Sequence, residues 1–277
     1  MIRSMLCLSV VVALAGTPAL AADMVMKAPP PPPAPVNSWT GFYVGGGVGA
    51  KWTDTTWTTT SLVTIPNGGP APVVDASSPR NYDATKATAS VFAGYNWQLT
   101  PQWVGGVEFD VAYANNAVTA TGIPGCTILC LAGAPGPGVD QSSVKLGWDG
   151  SARLRLGYLV SPTTLLFATG GVAWQNIKTS ATCQLSAADP FCGVVAGTPP
   201  FATDTHSTTR TGWTVGGGLE EKISENWFLR ATYRYSDFGS FNETFNLSIP
   251  AEANIVGASF KVRTQVAAAG LAYRFGP

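Results

Sequence analysis

The sequence is short of charge. Only 12% of its 277 residues are Asp, Glu, Lys or Arg, about half the usual share for a soluble domain, which argues against an ordinary cytosolic globule. Lys+Arg and Asp+Glu stand equal at 16 each, so there is no basic field to hold nucleic acid and no acidic tail to remain disordered. Histidine occurs once, at His206, which argues against a zinc site of mixed Cys and His ligands. Long apolar runs are missing beyond residue 36: none approaches the roughly 20 residues that a membrane helix needs. No long window keeps a 3.6-residue apolar period without glycine interrupting it, so a helical bundle is excluded as well.

What is present begins with an export signal. Arg3 makes a thin positive region, an apolar stretch runs from Met5 to Leu14, and Ala19-Leu20-Ala21 is a small-residue cleavage site. The apolar stretch is too short for a membrane anchor, so residues 1–21 are expected to be removed, and Cys7 with them. Residues 22–38 carry Pro29-Pro30-Pro31-Pro32-Pro33-Ala34-Pro35. Ring constraints and missing donors favour an extended rod there, a spacer before the folded part at 39–277, with recognition by a proline-reading module as the alternative. Four cysteines remain, Cys126, Cys130, Cys183 and Cys192, an even number in a chain sent to an oxidising compartment. Three pairings are open, of which Cys126 with Cys130 and Cys183 with Cys192 close the shortest loops.

The folded part alternates with period two. From Trp227 to Asp237, Trp227, Leu229, Ala231, Tyr233 and Tyr235 share one face and Phe228, Arg230, Thr232, Arg234 and Ser236 the other. Between 144 and 160, Leu146, Trp148, Ala152, Leu154, Leu156 and Tyr158 oppose Lys145, Asp149, Ser151, Arg153 and Arg155. Between 103 and 114, Val107, Phe109, Val111 and Tyr113 oppose Glu108 and Asp110, a register that would bury two carboxylates in a water-soluble sandwich. Eight such segments are expected, at about residues 39–51, 86–99, 103–114, 144–160, 164–178, 209–223, 227–238 and 260–275. Short links (100–102, 161–163, 224–226) alternate with long ones (52–85, 115–143, 179–208, 239–259).

That rhythm predicts an all-β fold, an eight-stranded antiparallel up-and-down transmembrane β-barrel with short periplasmic turns and long extracellular loops. A lipocalin-type barrel would put apolar residues inside, and the charges here favour lipid outside. In lipid a closed ring satisfies every backbone group where an open sheet does not. Tyr95, Trp97, Trp103, Tyr158, Trp227, Tyr273 and Phe275 sit beside the short turns, as ring side chains do at headgroup depth. Glu221 shares the lipid face with Val215, Leu219 and Ile223, near a short turn where charge costs little. Lys261 and Arg263 share parity with Tyr273 and Phe275 and require that strand to project beyond the membrane. Glycine runs (Gly45-Gly46-Gly47, Gly170-Gly171) leave the first and fifth strands without an assigned register.

Several blocks resemble a known family. They are the proline-rich start followed by Trp39-Thr40-Gly41-Phe42-Tyr43-Val44-Gly45, then Gly94-Tyr95-Asn96-Trp97, the run 151–158 and the run 168–174. Most specific is the stretch 212–220 with Glu225-Asn226-Trp227, Leu229-Arg230-Ala231 and 233–239. Together they resemble the small porin-like outer-membrane surface antigens of alphaproteobacteria, often labelled outer-membrane immunogenic proteins. The resemblance implies an eight-stranded barrel in the outer membrane with roles in envelope integrity and surface display; porin activity and, for some members, haemin binding are attached to the family. Tyr273 and Phe275 resemble the terminal aromatic signal read by barrel-assembly machinery, which with the export machinery would then be a partner.

Eight strands make a narrow barrel whose side chains fill it. Glu108, Asp110, Asp149, Glu220, Arg153, Arg155, Arg230 and Arg234, with Arg274, are expected inward, and a mixed set of this kind suits an ion-pair network. Two readings follow, a plugged barrel or a selective small-solute pore lined by the arginines. His206, in an expected external loop with Asp204 and Ser207, spells a Ser-His-Asp set only on paper, since a triad is a spatial constellation. The expected protein is therefore a non-enzymatic barrel without cofactor or metal, monomeric and surrounded by outer-membrane lipid. A narrow porin, or haemin or host-ligand binding by the loops, is the alternative.

Overall fold

The computed structural model describes residues 38–65, 73–126, 140–184, 191, 201–248 and 253–275. Among them nine strands follow in chain order: β1 (Gly41–Ile65), β2 (Arg80–Asn81), β3 (Ala84–Gln98), β4 (Trp103–Thr121), β5 (Gln141–Leu159), β6 (Thr164–Gln184), β7 (Phe201–Lys222), β8 (Trp227–Asn246) and β9 (Ala253–Phe275). β2 lies against β1 over two residues, and the other eight form an up-and-down antiparallel series. β9 returns to β1 from Phe42↔Phe275 to Ile65↔Ala253, so the sheet closes into a ring of eight.

The wall is inside out by the standard of a soluble protein. Phe109 and Val111 on β4, Leu154 and Leu156 on β5, and Val215 and Leu219 on β7 are exposed, while Glu108, Asp110, Arg153, Arg155 and Glu220 between them are buried. Ring pairs mark the short-turn end: Tyr95 with Trp97 (4.8 Å between centroids), Trp103 with Tyr158 (5.2 Å) and Trp227 with Tyr273 (5.1 Å). Phe42 and Phe275 (5.8 Å) meet across the closing seam. A second set, Trp52, Tyr113, Trp148, Trp213 and Tyr233, lies outward farther along the strands. From Trp148 to Tyr158, β5 climbs about 25 Å at roughly 3.4 Å per residue and a tilt of about 40°, the height of a lipid-facing apolar band.

The strands run well past the expected limits, all on the long-loop side. β1 continues from Lys51 to Ile65, β4 to Thr121, β6 to Gln184 and β8 to Asn246, while β7 begins at Phe201 and β9 at Ala253. Much of the four long links is therefore sheet. Register also shifts at several points, among them between Thr59 and Ser61 on β1. The β4–β5 register shifts between Tyr113 and Asn116, and the β5–β6 register between Leu146 and Asp149. Leu146 consequently turns inward and is buried while Lys145 turns outward, the reverse of the alternation expected from Trp148 onward, because a bulge inserts residues that the period-two count cannot see. Another bulge on β8 between Asp237 and Ser240, at Gly239 with φ of 69°, turns Phe241 and Phe245 inward.

Above the second aromatic set the ring splits. β7 and β8 stop pairing at Trp213↔Asp237, and β3 and β4 at Ala89↔Tyr113. The outer strand halves become two sheets, β4-β5-β6-β7 and β8-β9-β1-β2, with an apolar core between them. Trp57, Phe241, Phe245, Val256 and Phe260 come from one sheet and Val144, Leu146, Ala173, Ile177 and Ala181 from the other. Trp57 stacks on Phe245 (5.1 Å) and meets Phe260 edge-on (4.7 Å). Residues of β2 and the link after it fill the β3–β4 gap: Arg80 Nη1 donates to Thr121 O (2.8 Å), and the Tyr82 hydroxyl, its pKa pushed up by burial, lies 2.7 Å from Ser142 Oγ. Side chains hold the β7–β8 seam, where Asn246 N–H donates to Asp204 Oδ2 (2.7 Å) and Arg210 lies over the Phe241 ring (4.5 Å). Lys261 and Arg263 point outward on this extension, clear of the apolar band, as their sequence parity requires.

Cys126 and Cys183 are buried in the same core; Cys130 and Cys192 lie outside the described residues, and with them the expected pairings. The segments 1–21 and 22–37 also lie outside. Trp57→Ala removes the largest side chain of the outer core and is expected to cost about 3–5 kcal/mol, measured as a lower denaturant midpoint of the refolded chain in detergent micelles.

Candidate functional site

The lumen is filled from end to end, and the strands fix how. At the short-turn end Trp39, expected to open the first strand, instead folds in ahead of it as a stopper. It is buried against Val104 and Leu165 and faces Phe228 at 6.3 Å. Its N–H donates to Gln98 Oε1 (2.9 Å) and its indole Nε1 to Pro162 O (3.4 Å). Lys222 lies over the Trp39 ring (4.5 Å) and donates to Ser38 O (3.1 Å). Glu221, outward on β7, accepts from Thr164 Oγ1 at 2.6 Å.

All eight expected lumen residues come together in the middle third. Cross-strand register brings Glu108 opposite Arg153 and Glu220 opposite Arg230. Glu108 is the hub. It accepts both Arg230 terminal nitrogens across the lumen (2.6 and 2.7 Å), Arg153 Nη2 (2.6 Å), Arg155 Nη1 (3.4 Å) and the Tyr43 hydroxyl (2.8 Å). Arg155 also forks onto Glu220, with Nη1 at 2.9 Å from Oε1. Asp110 takes Arg153 Nη2 (2.7 Å), Arg234 Nη1 (2.6 Å) and the Ser151 hydroxyl. Arg234 continues to Asp149, which Lys51 Nζ reaches at 2.6 Å while donating to Gln175 Oε1 at 2.7 Å. Phenyl rings cover the guanidiniums, Phe167 at 3.9 Å from Arg155 and Phe92 at 4.4 Å from Arg230. Arg274 is inward and buried but stands apart near the short-turn end, where Nη2 donates to Glu225 O (3.1 Å).

Lys51, Tyr43 and Gln175 escaped the sequence reading because they lie on the two strands whose glycines blurred the register. Pairing restores it: Tyr43, Gly45, Gly47, Gly49 and Lys51 share the inward face. The glycines serve close approach, since a Cβ at Gly49 would stand 2.1 Å from Ala267 O and one at Gly171 2.1 Å from Ala152 O. Beside Glu108, Asp110 and Arg230 lies a cavity of about 50 Å³, room for a few waters. His206, expected in a loop, lies on β7 facing inward with Asp204 (Nε2 to Oδ2, 3.2 Å). Ser207 points to the opposite face, so no Ser-His-Asp set forms at this place.

A ring of eight strands with a lipid-matched wall and a charged interior is the architecture of one kind of protein, and a sequence profile for the outer membrane protein beta-barrel domain matches residues 8–275. The chain belongs to the outer-membrane β-barrel family. It is 31% identical over 239 residues to a 31 kDa outer-membrane immunogenic protein of Brucella melitensis, covering 85% of this chain and 87% of the relative. A 25 kDa outer-membrane immunogenic protein of Brucella abortus is 28% identical over 93% of this chain and 91% of its own. A 22 kDa outer membrane protein of Rhizobium leguminosarum is 30% identical over 76% and 69%. Among solved structures, OprG of Pseudomonas aeruginosa aligns with 12% identity and a TM-score of 0.49, over 87% of this chain and all of that one. The protein resides in the outer membrane, its short turns periplasmic and its two-sheet extension external.

Removing the hub should be costly. Glu108→Ala strips Arg153, Arg155 and Arg230 of a shared carboxylate and is expected to lose about 3–5 kcal/mol, since it leaves buried charge uncompensated. Denaturant titration of the folded barrel against the wild type reads the loss.

Proposed function

We propose that this outer-membrane barrel is non-enzymatic and closed to solute, and that it strengthens the envelope and presents its external loops to the surroundings. The observation that supports this reading is the filling of the lumen at three levels. Trp39 stops the periplasmic mouth, nine ionised side chains from Lys51 to Arg234 are bonded across the middle, and the core around Trp57 and Phe260 occupies the outer extension. A narrow barrel is rigid when its interior is bonded in this way, and a wall protein under osmotic load gains from rigidity. The relatives named as immunogenic support surface display.

The same reading keeps residues 1–21 as a cleaved signal and 22–38 as a periplasmic spacer, which fits strand β1 starting at the periplasmic side. Tyr273 and Phe275, at the end of β9 and in the aromatic ring, serve as the assembly signal. A ring has no free edge in the membrane, and the protein acts as a monomer. Cys126 pairs with Cys130 and Cys183 with Cys192, so peptide mapping of the unreduced protein is expected to recover two short linked peptides and no link between the two loops.

Planar-bilayer recording of the refolded chain, checked for folding by cold and boiled gel mobility, is expected to show no discrete conductance steps. Arg153→Ala with Arg230→Ala opens the middle layer and is expected to produce leak. Reproducible ion-selective steps from the wild type would sink the closed reading in favour of a narrow porin whose arginines set selectivity.

A further inference from the structure

The external face of the β4-β5-β6-β7 sheet carries a charge arrangement that nothing in the lumen explains. Lys145 on β5 and Lys178 on β6 are directly opposite in register, both outward and exposed. Residues so paired have Cβ atoms about 4.5–5.5 Å apart, and like charges there destabilise a sheet. Among the described residues neither lysine has an ion-pair or hydrogen-bond partner. The outward positions of these four strands above Trp148 and Trp213 carry no carboxylate, since Asp140 is buried and Asp204 faces the interior. The other sheet differs: its outward Arg263 is neutralised by Asp237 (Nε to Oδ2, 3.1 Å).

Height decides what the pair meets. Lys145 stands three residues beyond Trp148, and Lys178 lies level with it through the register, which places both about 8–10 Å above the outer aromatic ring. Headgroup layers add about 5–8 Å on each side of the hydrocarbon core, and lysine stems of four carbons can bend down to that level. We propose that this face binds the phosphate groups of outer-leaflet glycolipids. One phosphate carries up to about two negative charges, enough to bridge both ammoniums and cancel their repulsion. Ser207, opposite Lys178, and Ser143, Asn176 and Ser180, outward on the same two strands, supply donors and acceptors for sugar hydroxyls. The proposal rests on the membrane placement of the barrel and is independent of whether the lumen conducts.

The test is native mass spectrometry of the full refolded chain in detergent micelles, titrated with a bis-phosphorylated glucosamine-disaccharide lipid, with the same lipid stripped of phosphate, and with inorganic phosphate as competitor. The wild type is expected to bind the phosphorylated lipid at least 10-fold more tightly than the stripped one. K145Q/K178Q is expected to lose that preference, K178Q alone to lose at least 3-fold, and K86Q, at another exposed lysine, to behave as wild type. Gel mobility establishes that each variant is folded, and the single variant carries the test if the double one is not. Equal binding of the stripped lipid, unchanged binding by folded K178Q, or equal loss in K86Q would overturn the proposal. Displacement of the lipid by millimolar inorganic phosphate would also overturn it, making the pair a site for free anions.

Discussion

A strand in hydrocarbon has no water to satisfy its N–H and C=O groups, and the return of β9 to β1 is the answer to that constraint. Closure with only eight strands makes the interior narrow. Inward backbone then approaches so closely that Gly49 and Gly171 have no room for a side chain, and what space remains is taken by paired charges and rings. Above the outer aromatic set the constraint lapses, because water can pair free backbone edges. It is there that β7 leaves β8 and β3 leaves β4, and the ring becomes two sheets around an apolar core. One chain thus has a polar interior where its surroundings are apolar and an apolar interior where its surroundings are water.

The middle layer shows how such an interior is held. Four carboxylates face four arginines and Lys51, and burying any of them unpaired would cost several kcal/mol. Glu108 answers this by accepting from three arginines and Tyr43 at once. Arg230 and Arg234 lie on β8 and their acceptors Glu108 and Asp110 on β4, so the bonds cross the lumen and tie opposite walls together. Phe167 and Phe92 lie over guanidiniums of the same layer and cover them.

Much of this was legible in advance, for a reason that is local. A strand between lipid and a charged lumen must alternate, so Val107, Phe109 and Val111 against Glu108 and Asp110 declare both the strand and its faces. The outer extension was harder to read. Its residues, such as Thr205 to Thr211 and Thr53 to Thr60, are polar on the outside and partly polar within, and resemble loop composition. Among its aromatic core positions Trp57 and Phe260 keep the inward parity of their strands, whereas Phe245 lies past the β8 bulge that resets the count. Leu146 and Lys145 lie on the faces opposite to those their alternation predicts for that reason, since the one extra residue of a bulge is invisible without the partner strand. Lys51 was missed because glycine has no side chain to reveal which face it occupies.

The sequence by itself determined the strand number, the up-and-down order, the lipid-facing wall and the identity of eight ionised lumen residues, because each follows from the two-residue period of a pleated strand and the chemistry of the residues on it. Only the tertiary structure decided who pairs with whom across the lumen, where the bulges fall, that Trp39 is a stopper, and that Lys145 stands beside Lys178. Those facts depend on register between strands distant in sequence, and register is set by the closing of the whole ring.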